Sequence, residues 1–260
     1  MNRYFRQIVS SRTVQEADAV IVTGDVTDRG KPEAWEVFWD AIDLAGLRSR
    51  VIVAPGNHDA CCLGLRRRSA KNRELDMARM AKGLRMGGQP TRFPSMHRIH
   101  DDTVVFVLNS NNLGNTSSAT NAVGVIAHFD LVRFAGLLYQ FRDVPVKIVA
   151  LHHSPNIPES QTALKRGNKP MSSVSRLAHQ IPESERRALR LLCLSHRVRL
   201  VLHGHLHLEE CRQVNGITIV GAPASTQPLD KEGGQVCRFW QYQIGGVSRR
   251  VTRRIVELCV

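Results

Sequence analysis

Ala19-Val20-Ile21-Val22-Thr23-Gly24-Asp25-Val26-Thr27-Asp28-Arg29-Gly30 starts as an apolar run and ends in a polar, glycine-bounded turn. The run is too short for a helix and is stopped by a glycine, so it reads as a buried strand that delivers Asp25 at its carboxyl end. The pattern recurs along the chain. Val51-Ile52-Val53-Ala54 leads to Pro55-Gly56-Asn57-His58, and Thr103 to Leu108 leads to Asn109-Ser110-Asn111-Asn112. Val146 to Leu151 leads to His152-His153, and Leu200-Val201-Leu202 leads to His203-Gly204-His205. Helical periodicity fills the gaps at Glu33 to Leu44, Leu75 to Leu84, Asp130 to Phe141 and Glu183 to Leu194. Strands alternating with helices predict an α/β architecture. Sites in such sheets form at the carboxyl ends of the strands.

Ile217 to Val220 and Phe239 to Ile244 read as antiparallel strands near the end, and neither repeats nor a linker divide the chain, so residues 1–260 are expected to form one domain. Gly114 to Thr120 reads as a polar loop. Ser154 to Val174 reads as a long loop forming a wall of a site. Aromatic residues make up only 5%, so the core must rest on Val, Leu, Ile and Ala.

Lys and Arg outnumber Asp and Glu by 36 to 23, a net charge of +13 that favours anionic partners such as phosphate esters or nucleic acid. The excess collects at Arg66-Arg67-Arg68, at Arg186-Arg187 with Arg190, and at Arg249-Arg250 with Arg253-Arg254. With little aromatic interleaving, these clusters are expected to be solvated faces. The six cysteines (Cys61, Cys62, Cys193, Cys211, Cys237, Cys259) show no Cys-x-x-Cys spacing, which argues against a zinc ribbon or a redox pair. No apolar run reaches the roughly 18 residues of a membrane span. A cytoplasmic protein without a membrane partner is the expectation, and the oligomeric state is left open.

Four polar clusters carry chemistry. Asp25 offers a carboxylate able to bridge two cations, and Asn57 offers a neutral oxygen ligand beside His58, a proton donor. His152 and His153 offer imidazoles at a strand tip. His205 and His207, one residue apart, project to the same side of an extended segment. Each cluster alone is ordinary turn chemistry. The ordered set of four is not.

GDVTDRG at Gly24 to Gly30, GNHD at Gly56 to Asp59, HHSP at His152 to Pro155 and GHLH at Gly204 to His207 together resemble the calcineurin-like metallophosphoesterase superfamily. The resemblance runs from about Ala19 to Ala224 and looks closest to its bacterial cyclic-nucleotide phosphodiesterase branch. It implies a four-layer α/β/β/α sandwich of two mixed sheets and two divalent metal ions. Asp25 would bridge them, Asn57, His152 and His205 would complete the second, and His207 would bind the first. His152 is preferred over His153 because it directly follows the strand. His58 would contact the phosphate and assist the leaving group, and Arg29 would pair with the phosphate. Mixed oxygen and nitrogen ligands suit Mn, Fe or Zn.

The chain departs from the family at one place. Family members begin with a strand ending in Asp-x-His, which supplies two ligands to the first metal. Here residues 1 to 16 read as a helix, with Tyr4, Phe5, Ile8 and Val9 on one face, and Asp18 is the only Asp before Asp25. A whole strand is missing, not two side chains, so a start internal to a longer protein is favoured over a variant that has lost its first metal site. The expected activity is hydrolysis of a phosphate mono- or diester, with diesters such as cyclic nucleotides preferred. The alternatives are a nuclease, or a catalytically impaired relative that binds phosphate esters.

Overall fold

The structure is a computed structural model that describes residues 3–60, 70–113, 122–156, 179–231, 234–245 and 250–260. The Gly114 to Thr120 loop, most of the Ser154 to Val174 segment, Cys61, Cys62 and the Arg66 to Arg68 run lie outside the described residues.

A six-stranded mixed sheet forms the centre, with strand order β3-β4-β5-β6-β8-β7. Its strands are β3 (Ser95–His100), β4 (Thr103–Val107), β5 (Val146–Ala150), β6 (Leu200–His203), β7 (Glu210–Val214) and β8 (Ile217–Gly221). β4, β5, β6 and β8 run parallel, while β3 and β7 pair antiparallel at the edges. Both faces are covered, as parallel strands require. Val104, Phe106, Val149, Val201, Ile217 and Ile219 pack toward α5 (His128–Gln140) and α6 (Glu183–Ser195). Val105, Val107, Ile148, Ala150, Leu200 and Leu202 point to the opposite core. The period-two split is what a pleated strand does with an unbroken apolar run.

Two smaller sheets lie over that second core. β1 (Val20–Val22) pairs in parallel with β2 (Val51–Val53). β9 (Leu229–Lys231), β10 (Gly234–Gly245) and β11 (Arg250–Cys259) form an antiparallel sheet in the order β11-β10-β9. The helices α1 (Arg3–Val9), α2 (Arg12–Gln15) and α3 (Pro32–Leu44) add buried residues to the same core, as does α4 (Ala70–Met86) through Met80 and Leu84, which completes the α/β/β/α layering. β1 has a single ladder partner among the described residues, and its three residues are half-buried where those of β2 are buried.

Within the stretch read as one helix, residues 3 to 16 make two. Ser11 is extended (φ −67°, ψ 145°) and its hydroxyl donates to Ile8 O at 2.6 Å, which ends α1 and starts α2. The arginine clusters also divide. Arg186 is buried and paired with Glu183, whereas Arg187, Arg253 and Arg254 are exposed. β3, β7, β9 and β11, rich in polar residues and on sheet edges, lack the apolar run that marks the other strands.

α3 packs its aromatic face on α4, with Trp35 and Trp39 stacked at 6.4 Å and the Trp39 indole donating to Gly83 O at 2.8 Å. A Cβ on Gly83 would lie 2.2 Å from Trp35 Cε2, and one on Gly87 2.1 Å from Trp39 Cζ2. Alanine in a helix interior normally gains about 1 kcal/mol over glycine. Gly83→Ala is instead expected to destabilise by about 1–3 kcal/mol, because overpacking outweighs propensity. Thermal melts check the sign, and a raised Tm would contradict the packing.

Candidate metal centre

Five strand tips meet at one edge of the molecule. β1 ends at Gly24 and Asp25, β2 at Asn57 and His58, β4 at Ser110 and Asn111, β5 at His152 and His153, and β6 at His205 and His207. The ladder continues past the strand ends, with Leu151 N donating to Leu202 O at 3.0 Å and Gly204 N to His152 O at 3.0 Å. That registers the His152 tip against the His205 turn. Asn111 Nδ2 donates to Pro55 O at 3.1 Å and ties the β4 tip to the β2 tip.

The turns are strained where candidate ligands sit. Asp25 (φ 56°), His205 (φ 62°) and His207 (φ 54°) are all left-handed. Such conformations cost of order 1 kcal/mol or more each and cluster at functional sites. Two glycines permit the approach. A Cβ on Gly24 (φ 99°) would lie 2.4 Å from His152 Nδ1, and one on Gly56 2.2 Å from Asp25 Oδ1.

Three donor atoms converge on a fourth, His152 Nε2. Asn57 Oδ1 lies 3.0 Å from it, His205 Nδ1 3.1 Å and Asp25 Oδ2 3.4 Å. Donors held around one ion by bonds of about 2.1 Å in a tetrahedron stand about 3.4 Å apart. His152 Nδ1 lies 2.7 Å from Thr23 O, which takes its N–H and leaves Nε2 bare for a ligand role. His152, His153 and His205 each place a possible ligand nitrogen within 4.8 Å of the others. The oxygen and imidazole donors therefore fit a divalent transition metal.

The Asp25 carboxylate and the His152 imidazole favour each other's charged forms, so an ion bound at Nε2 would take the place of a proton there. Burial by itself would raise the Asp25 carboxyl, yet the His152 imidazole, with a smaller contribution from His58, holds it well below the usual carboxylate range. Burial by itself would lower the His152 imidazole, and the Asp25 charge beside it raises it instead. His153 and His205 are pushed well below the ordinary imidazole value, chiefly by burial, and are neutral.

The remaining candidates are placed less tightly. His58 donates its backbone N–H to Asp25 Oδ1 at 3.1 Å, and its ring Nδ1 lies 3.1 Å from Asp28 O. His207 is exposed but near enough to Asp25, His152 and His58 to feel their charge. Arg29 is exposed and pairs with Asp28 at 3.3 Å, outside this cluster of donors. Asp18 belongs elsewhere. It is exposed, pairs with His100 at 3.4 Å and lines a groove beside Arg50 and Arg98 at the amino end of β2.

Several residues matter that the motifs did not single out. Asp59 is fully buried and accepts from Thr27 N (2.8 Å), Thr27 Oγ1 (3.2 Å) and Gly56 N (2.8 Å), which locks the Asp25 turn to the Asn57 turn. Its carboxyl is pushed up to about 6, mainly by burial and then by Asp25. Ser110 holds His153, and the His179 ring lies 5.3 Å from that of His205, tilted by 39°. Position in the fourth letter of Gly-Asn-His-Asp was the available signal for Asp59, and the polar turn after Leu108 was the one for Ser110; His179 carries none in sequence.

The family model for calcineurin-like phosphoesterases matches residues 1–209. Among curated proteins no sequence matches. Solved structures resemble the chain as well, two of them as follows. Phosphopantetheinyl hydrolase (PptH) from Mycobacterium tuberculosis is 15% identical over 78% of each chain, with a TM-score of 0.47. A protein described as a 5'-nucleotidase from Staphylococcus aureus is 12% identical over 99% of this chain and 48% of that one, with a TM-score of 0.44. This chain thus spans about half the length of the second.

Proposed function

Because the chain belongs to the calcineurin-like phosphoesterase family, we propose that it hydrolyses a phosphate ester with divalent metal ions held at the strand tips. A small diester such as a cyclic nucleotide is the preferred substrate, and the cytoplasm the proposed location. The observation that carries the reading is the convergence of Asn57 Oδ1, His205 Nδ1 and Asp25 Oδ2 on His152 Nε2.

Asp25, Asn57, His152 and His205 are the residues that would hold one ion, with Asp25 and His207 reaching toward a second. Mn, Fe or Zn bound there supplies a Lewis acid for the phosphoryl oxygens and a nucleophilic water at neutral pH. The protein does the rest. Asp28 O accepts a hydrogen bond from His58 Nδ1–H, so Nε2 is the ring atom available to a substrate oxygen. A protonated His58 would donate from Nε2 to the departing alkoxide, and Arg29 could meet the non-bridging oxygens at the rim.

His58→Ala is expected to retain wild-type metal content and to slow turnover by about 10²–10⁴-fold, the range for a lost general acid. Loss of metal together with rate would make His58 a structural residue instead. Diester preference is checked by comparing bis(p-nitrophenyl) phosphate with p-nitrophenyl phosphate as substrates. Faster release from the diester supports the reading, and a faster monoester reverses that part of it. Cleavage of DNA or RNA that is faster than that of the small diester and falls steeply with salt would favour a nuclease, and a flat salt response with the small diester as the better substrate would remove that reading.

A further inference from the structure

β11 is the edge of its sheet, and its 10 residues pair with β10 without a break in register, from Cys259 opposite Val236 to Arg250 opposite Gly245. Val260 N donates to Gln235 O at 2.9 Å on the same ladder. Antiparallel strands alternate the direction of their backbone groups, so the even-numbered residues of β11 bond to β10. Val251, Arg253, Ile255, Glu257 and Cys259 therefore turn their N–H and C=O groups outward. None of these five has a backbone partner on that side among the described residues.

An open edge of this length accepts another strand unless a proline, a bulge or charge prevents it. β11 has no proline and no register shift, which leaves its charges to decide. Arg254 belongs to the face where its Nε donates to Gln241 Oε1 at 2.6 Å. Arg253 is exposed and forms no ion pair among the described residues. Glu257 is exposed and holds Lys231 at 2.5 Å. Arg253 and Glu257 share one face of the strand, two residues either side of Ile255.

That spacing is self-complementary. A second β11 laid antiparallel about a two-fold axis at Ile255 sets each Arg253 directly opposite a Glu257 and each Val251 opposite a Cys259. All five outward residues then exchange hydrogen bonds across the axis. Centring the pair on Arg254 would bring two Arg254 side chains face to face, and centring it on Val256 would leave Glu257 opposite Ile255. Opposite charges directly across an antiparallel pair stabilise it, and like charges oppose it.

We propose that the chain self-associates through β11, two copies joining their three-stranded sheets edge to edge with Ile255 on the two-fold axis and Arg253 of each copy paired with Glu257 of the other. The charges that would turn away an arbitrary strand select a second copy of this one. The inference is independent of the chemistry assigned to the strand tips.

Sedimentation velocity of the full chain over a range of concentrations is expected to show a reversible monomer–dimer equilibrium. Arg253→Glu and Glu257→Arg, which each set like charges across the axis, should weaken the dimer by about tenfold or more, and the variant carrying both should return to within a few-fold of wild type. Directly paired residues with outward hydrogen bonds stand about 5.5 Å apart at Cα, within the span of a disulfide. Ile255→Cys combined with Cys259→Ser should therefore form a covalent dimer on oxidation, and Cys259→Ser alone should not. A chain that stays monomeric at every concentration would overturn the proposal. So would a dimer unmoved by either charge reversal, a double reversal no tighter than the single ones, or a dimeric Ile255→Cys variant that does not cross-link.

Discussion

Asn57→Ala is expected to lose metal binding by more than about 100-fold and turnover to near background, while keeping the fold. Removing an outer partner of a ligand already costs about 10–100-fold, and Asn57 is assigned here as a ligand itself. Its side chain is buried at 2% exposure, and Oδ1 contacts His152 Nε2 at 3.0 Å. Alanine leaves His152, His205 and Asp25 with three donors and a gap. Metal content by elemental analysis and hydrolysis rate should fall together. Wild-type rates in Asn57→Ala would remove it from the site.

Asp59→Ala is expected to have the largest effect on stability. Three donors lose their acceptor at once: Thr27 N, Thr27 Oγ1 and Gly56 N. Each buried donor left unsatisfied costs about 1–3 kcal/mol, so a loss of roughly 2–5 kcal/mol is expected after local relaxation. For a chain of this size each kcal/mol moves Tm by about 2–4 °C. Asp59→Asn keeps the shape but directs an amide NH₂ at donors, so it should recover only part of the loss. Because Asp59 joins the turns carrying Asp25 and Asn57, metal affinity should fall alongside Tm. An unchanged melt for Asp59→Ala would show that the two turns hold without it.

The parts of the fold that could be read in sequence are those whose apolar runs are complete. β2, β4, β5, β6 and β8 are each a continuous apolar-rich stretch, because a strand buried on both faces needs no polar alternation, and half-buried β1 carries the same kind of run. β11 was not legible because Arg253, Arg254 and Glu257 break up its apolar residues on a sheet edge. The break between α1 and α2 hung on Ser11, a single residue inside an otherwise helical pattern. The four polar clusters gave the candidate ligands directly, since a ligand must sit at a strand tip and be Asp, Asn or His. The partners of the supporting residues were not legible. Asp59, Ser110 and Gly124 act through contacts with residues 32, 43 and 29 positions away, and only the folded chain brings them together.

The electrostatic picture separates in the same way. The net charge of +13 was plain, but its distribution was not. Arg186 is spent on a buried pair with Glu183, and Arg238 pairs with Glu209 at 2.8 Å. What matters at the strand tips is local, a carboxylate and four imidazoles whose ordinary protonation is altered by burial and by one another.

The most direct measurement is hydrolysis of bis(p-nitrophenyl) phosphate by the 260-residue chain after chelation and again after Mn²⁺ is restored. Activity that vanishes with chelator, returns with Mn²⁺ and is absent from Asn57→Ala is the predicted result. Activity indifferent to chelator, or a folded, metal-loaded chain that turns over no phosphate ester, would contradict it.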